Sequence, residues 1–177
     1  MNTKKITLLG IMLSLMLILG LVEKQFVLVP GVPGIKPGFS NIVLMFALYR
    51  MDTRSAAILL VLKVLLLAPF VGIVSTAYSF SGGILAFGIM FALVRTGKLS
   101  LPVVSVSGAV MHMAGQIICS RFLIGSWVLT FQLPLLLVSA VVTGVLNGVI
   151  TALVINALTK SKLSFLPGKA AKEVKTK

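Results

Sequence analysis

Apolar residues along this chain come in long unbroken runs instead of alternating with polar ones. Six stretches stand out, from Ile6 to Val22, Phe39 to Tyr49, Ser55 to Ser75, Ser79 to Val94, Leu101 to Ser120 and Pro134 to Leu158. A helix of about 20 residues crosses the hydrocarbon core of a bilayer, so five of these read as transmembrane helices. The second is too short by itself. It follows VLVPGVPGIKPG, whose three prolines and three glycines break any regular helix, so it spans only by starting in that loop or where the bundle thins the membrane.

Charge settles how to count it. With six spans and a cytoplasmic amino terminus, Lys4, Lys5, Arg50, Arg54, Arg95, Lys98, Lys160 and the five lysines beyond it fall inside, and only Lys24, Lys36 and Arg121 fall outside. Twelve against three is a strong positive-inside bias, and dropping the second span destroys it. The expectation is an all-α, polytopic membrane bundle of about six helices with both termini cytoplasmic. Residues 1–160 form one transmembrane domain and 161–177 a basic cytoplasmic tail.

Composition agrees. Hydrophobic residues fill 58% of the 177 positions and charged ones 11%, with a mean hydropathy of +1.14. A soluble domain carries charge on about a quarter of its residues. The net charge of +13 is divided among cytoplasmic rims and tail, which points to an anionic lipid surface and away from nucleic acid. MNTKK and its apolar run imitate a secretory signal, but GLVEKQF follows where a small-residue cleavage site is needed, so the first helix is read as retained. Cys119 stands alone and forms no intrachain disulfide.

Small residues at four-residue spacing mark close helix contacts. Ala140, Gly144 and Gly148 share one face of the last span, and Gly10 and Ser14 one face of the first. The former reads as internal packing, the latter as a candidate docking face for a separate membrane subunit. Pro102 and Pro134 fit the first turns of the fifth and sixth helices.

The polar residues at membrane depth carry the functional information. Lys63 sits about two turns into the third span, where a cation costs on the order of 2.5–3.5 kcal/mol unless compensated. Snorkelling to the cytoplasmic edge and contact with a ligand both remain open for it. His112, Gln116 and Ser120 stack along one helix face, and Ser139, Thr143, Asn147 and Thr151 along another. Two such stripes facing each other either hydrogen-bond between helices or line a pocket. On the outer side they have the company of Lys36, Ser40 and Asn41 at the end of the Pro/Gly loop. Ser79, Ser81, Gly82 and Gly83 are expected to open the fourth helix, and Arg121 and Trp127 follow the fifth. Helix N-termini there present N–H groups to a guest. With Glu23 the only acid nearby, the expected guest is an anionic or electron-rich small molecule, and GSWVLTFQL is a candidate interfacial lid.

The runs PGIKPGFSNIVLMFALYR, LLVLKVLLL, YSFSGGILA, GAVMHMAGQ and LPLLLVSAVVTGVLNG resemble the Gx transporter family, often labelled heptaprenyl diphosphate synthase component I. The likeness covers nearly the whole chain to Leu158. More distantly, the loop followed by GFSNI is similar to the substrate-binding S components of energy-coupling factor vitamin transporters. That resemblance implies an outward-facing pocket capped by the first loop, in a bacterial cytoplasmic membrane. It also implies docking through the first helices onto an energy-coupling transmembrane subunit driven by ATPases. Carried over residue by residue, it marks Lys36, Gly38, Asn41, Lys63, Ser79, Gly82, Gly83, His112, Gly115 and Gln116. Met113 stands where the family pattern has asparagine, and Ala140 where it has glycine.

Chemistry argues against an enzyme. Prenyl transfer needs clustered carboxylates to hold Mg²⁺ on a diphosphate, and the chain has only Glu23, Asp52 and Glu173, far apart in sequence. RTGKLS misses the phosphate loop, with Leu99 in place of the Ser/Thr and Ala92 in place of the upstream glycine. A lone histidine gives no metal site. The expectation is therefore a substrate-binding subunit for uptake of a vitamin, quinone or isoprenoid precursor, with no cofactor and no metal. Lys36, Asn41, Lys63, Ser79, His112, Gln116, Arg121 and Asn147 are its binding candidates, and Gly10 and Ser14 the docking pair. The alternative is a noncatalytic membrane subunit associated with heptaprenyl diphosphate synthase and menaquinone biosynthesis.

Overall fold

Each long apolar run folds as one helix, because backbone groups in a membrane must find their hydrogen bonds within the segment. The computed structural model describes residues 3–23, 25, 38–125 and 133–160. They form α1 (Thr3–Glu23), α2 (Phe39–Arg50), α3 (Thr53–Val71), α4 (Ile73–Thr96), α5 (Leu101–Ile124) and α6 (Leu133–Lys160), with no strand among the described residues. Every helix but α2 is long and apolar enough to cross a membrane. The Pro/Gly loop with Lys36, the expected lid with Trp127 and the tail 161–177 lie outside the described residues.

The short helix is the centre of the bundle. At 12 residues α2 is about 18 Å long, and it packs against α1, α3 and α6 while touching α4. Its residues Val43 through Leu48 are all buried. Around them gather Met16 of α1, Leu59 and Val64 of α3, Ala86 and Met90 of α4 and Val104 of α5. A helix covered by protein on its flanks need not match the bilayer thickness, because its ends are sheltered by neighbours instead of meeting lipid. Large apolar side chains such as Ile11, Leu65, Phe122 and Val138 face outward from the longer helices, where a soluble protein would place charge.

Contacts at both ends fix the direction of α2. Lys5 Nζ lies 2.7 Å from Asp52 Oδ1, and Arg50 Nη2 donates to Thr159 Oγ1 at 2.7 Å. The start of α1, the α2–α3 turn and the end of α6 therefore share one basic end. At the other end of α2, Glu23 meets Ser40. The chain thus traverses the bundle once per helix, and α2 counts as a pass.

One boundary differs from the sequence reading. The break between the third and fourth helices falls at Gly72 (φ 81°, ψ 161°), not just before Ser79. Pro69 in the last turn of α3 removes an amide donor, and Gly72 supplies a backbone conformation that other residues resist. Thr76 then donates both N–H and O–H to Gly72 O, at 3.0 and 2.8 Å. Ser79, Ser81, Gly82 and Gly83 consequently lie inside α4, their amides committed to the helix, and they offer no helix N-terminus to a ligand.

Glycines set the closest approaches. A Cβ on Gly115 would stand 2.6 Å from Ser81 O and 2.7 Å from Gly82 Cα, and one on Gly82 would stand 2.7 Å from His112 O. The Ala140–Gly144–Gly148 face packs α6 on α5, since Cβ atoms on Gly144 and Gly148 would meet Val106 Cα at 2.8 Å and Pro102 Cα at 2.6 Å. Gly10 has open space around it, and Gly10 and Ser14 lie on the exposed side of α1.

Because the atoms met are backbone and cannot yield, Gly115→Ala is expected to destabilise the bundle by about 1–3 kcal/mol. Gly88→Ala, whose Cβ meets nothing within 4 Å, is expected to stay within about 0.5 kcal/mol of wild type. Thermal unfolding in one detergent compares them, and equal midpoints would remove the close-approach account.

Asp52 caps α3, accepting from Ser55 N at 3.3 Å and Ser55 Oγ at 2.8 Å. Its hydrogen bond from Lys5 is the main reason its carboxyl falls from 3.8 to about 2, against a smaller opposing effect of burial. A depressed folded value means the stabilisation is complete above the ordinary pKa and is lost as pH falls toward 2. With the Asp52 side chain 46% exposed, the effect is held below about 1 kcal/mol by solvent screening. Unfolding midpoints of wild type and Asp52→Asn are expected to differ at pH 5 and to converge near pH 2.

Candidate functional site

All six helices wall one cavity of about 100 Å³. Gly20 and Glu23 come from α1, Ser40 and Asn41 from α2, and Leu60, Lys63, Val64 and Leu67 from α3. From α4 come Thr76, Ser79 and Gly83, from α5 Ala109, His112, Met113 and Gln116, and from α6 Thr143 and Asn147. Lys63 is ten residues into α3 and Ser40 ten residues before the end of α2. Both therefore stand about 15 Å from the basic end, near the middle of a hydrocarbon core.

The cation at that depth is compensated. Lys63 Nζ donates to Ser40 Oγ at 2.6 Å, so the side chain turns into the cavity and does not snorkel to the basic rim. Glu23, buried at 7% exposure, accepts from the Ser40 backbone N–H at 2.5 Å. Its second oxygen accepts weakly from the Ser40 hydroxyl at 3.4 Å. Ser40, itself 1% exposed, thus links an ammonium group of α3 to a carboxylate of α1. The carboxylate sits at the N-terminus of α2, where helix amides favour negative charge.

Gly38 shapes the other side of that terminus. It adopts φ 72° and ψ 26°, the left-handed region natural to glycine. Its carbonyl accepts from Asn41 N at 2.9 Å and from Asn147 Nδ2 at 3.2 Å. The two polar stripes divide their work. On α6 the hydroxyls of Ser139, Thr143 and Thr151 bond to backbone carbonyls of their own helix, while Asn147 reaches across to Gly38. On α5, Gln116 Nε2 lies 3.2 Å from His112 Nε2. With the amide donating, that ring nitrogen is the acceptor and the imidazole proton sits on Nδ1. Gly82 leaves the room in which this ring lies, since a Cβ there would be 2.9 Å from His112 Cε1.

Six of the expected binding residues therefore come together at the cavity: Asn41, Lys63, Ser79, His112, Gln116 and Asn147. Arg121 does not join them. It is exposed near the end of α5, with Nη1 donating to Gly125 O at 2.7 Å. Lys36 lies outside the described residues. Glu23 also lines the cavity, although in sequence an acid just after an apolar run reads as an ordinary interfacial residue. Thr76 was missed because the fourth helix starts earlier than its polar residues suggest. Among the described residues the carboxylates do not cluster: Glu23 stands at the cavity and Asp52 at the basic end. Among the described residues no group of three His, Cys, Asp or Glu is placed to hold a metal ion.

A multi-helix membrane bundle with a polar recess near its midplane is the class of protein that this fold and site define. Within that class the chain belongs to the family described as heptaprenyl diphosphate synthase component I, whose family model matches residues 12–154. No curated protein and no solved structure matches it.

Ser40 carries the polar link, so Ser40→Ala is expected to cost about 1–3 kcal/mol by leaving the Lys63 ammonium short of an acceptor. Ser40→Thr, which keeps the hydroxyl, is expected to recover most of that. Denaturant titration in mixed micelles measures both, and an unchanged Ser40→Ala midpoint would show the link to be energetically idle.

Proposed function

We propose that the protein is a noncatalytic membrane subunit that holds a small molecule in the six-helix cavity and serves as component I of a heptaprenyl diphosphate synthase system. The carrying observation is the convergence of Lys63, Asn41, His112, Gln116 and Asn147 on one recess near mid-bundle depth. Ionisable and amide side chains at that depth are expensive unless they do something. The separation of Glu23 from Asp52 supports the noncatalytic part, because prenyl transfer needs carboxylates close together to bind Mg²⁺. In this reading the partner is a prenyl-transferring subunit that supplies the chemistry. Both termini face the cytoplasm of a bacterial cell, consistent with Lys5, Arg50, Arg54 and Lys160 at one end of the bundle.

A second reading is an uptake subunit resembling an energy-coupling S component. The observation favouring it is that Gly38, the last residue of the Pro/Gly stretch, lines the cavity. Gly10 and Ser14, exposed on α1, then form the face that docks an energy-coupling transmembrane subunit and its ATPases.

Purification of the tagged chain from its native membrane, with mass spectrometry of bound proteins and small molecules, separates the two. Recovery of a prenyl synthase without ATPases supports the first, and recovery of ATPases with a membrane subunit supports the second. In either case His112→Ala and Gln116→Ala are expected to lower retained ligand roughly tenfold, the effect of one or two lost hydrogen bonds, at unchanged folded yield. Parallel loss of yield and ligand would reduce these residues to packing.

A further inference from the structure

Two charged groups line the cavity among its described residues, Glu23 and Lys63, and they are of opposite sign. The remaining polar lining among the described residues consists of the amides of Asn41, Gln116 and Asn147, the hydroxyls of Ser40, Thr76, Ser79 and Thr143, and the His112 imidazole, whose Nε2 lies 3.2 Å from Gln116 Nε2. The features that would attract an anion are already engaged from within. Lys63 donates to Ser40 Oγ, and at the N-terminus of α2 the Ser40 and Asn41 amides donate to Glu23 and to Gly38 O. An incoming phosphate would meet the Glu23 carboxylate at the place where a bare helix N-terminus would have welcomed it. Desolvating a second anion there is costly in a medium of low dielectric.

Resting on the reading of this recess as a binding site, we infer that its guest is a small polar molecule of zero net charge, carrying both hydrogen-bond donors and acceptors. Phosphate and diphosphate anions are excluded. A prenyl diphosphate belongs to the partner subunit and not to this cavity.

The charge selectivity of the recess can be read without knowing the guest. In a Cys119→Ser background, Thr143→Cys places a thiol on the wall, with Ala109→Cys as a second reporter should the first fold poorly. The probes are methyl methanethiosulfonate, which is small and neutral, and its anionic sulfonatoethyl and cationic trimethylammonioethyl relatives, which match each other in size. Rates are taken relative to a free thiol in solution. The neutral reagent is expected to react, and the two charged reagents to agree within about threefold. Glu23→Gln is expected to shift their ratio at least tenfold toward the anion, and Lys63→Met toward the cation. Millimolar inorganic diphosphate is expected to give no protection against the neutral reagent. A tenfold anionic preference in the Thr143→Cys protein, or protection by diphosphate, overturns the inference while leaving a binding cavity in place. Failure of even the neutral reagent, when the unfolded protein reacts, overturns the cavity reading itself.

Discussion

The bundle is organised around the buried carboxylate of Glu23 and the half-buried ammonium group of Lys63, which Ser40 joins. A single serine accepts from the ammonium group of α3 and gives its amide to the carboxylate of α1, and this ties the N-terminus of α2 to both neighbours. Each charge, away from water, is costly unless polar groups engage it, and Ser40 engages both. Their linkage explains why a 12-residue helix can hold the centre of a membrane protein. Lateral contacts with α1, α3 and α6 replace the lipid, and the polar end of α2 is received by side chains instead of by a headgroup layer.

The same linkage shapes the recess. Because α2 stops short of the bilayer thickness, the space beyond its N-terminus is filled from the sides by residues of all six helices. Apolar side chains such as Leu60, Val64 and Leu67 close part of the wall, and amides and hydroxyls the rest. Glycines bring α4 and α5 into backbone contact next to His112, so the ring is placed by main-chain packing. The close approach fixes where the His112 backbone stands, since shifting it means separating two helices.

Family membership and cavity chemistry constrain different things. The family description concerns a synthase system with more than one component. The chain's own residues form a polar recess lined, among the described residues, by one carboxylate and one ammonium group; in the proposed reading that recess holds a guest and a partner supplies the metal-assisted chemistry. The resemblance to energy-coupling S components rests on the loop followed by GFSNI, and the uptake reading drawn from it uses the same recess, so the two proposed readings share one site and differ in the partner.

Much of this was legible in the chain. Long apolar runs, with their basic residues at alternate ends, determined a polytopic helical bundle, because backbone groups in lipid leave no other choice. Four-residue spacing determined that His112 with Gln116, and Thr143 with Asn147, share helix faces. The Gly144 and Gly148 pair likewise signalled a close contact. Which faces meet is a different matter, since helix periodicity says nothing about rotation of one helix against another. Only the tertiary structure turned Lys63 inward onto Ser40, drew Glu23 from an apparent loop into the wall, and left Arg121 outside on Gly125. It also moved the third turn to Gly72, where a positive φ and an upstream proline outweigh the polar signal at Ser79. Charge partners at a distance in sequence are chosen by packing, and packing between helices is a property of surfaces that no single segment displays.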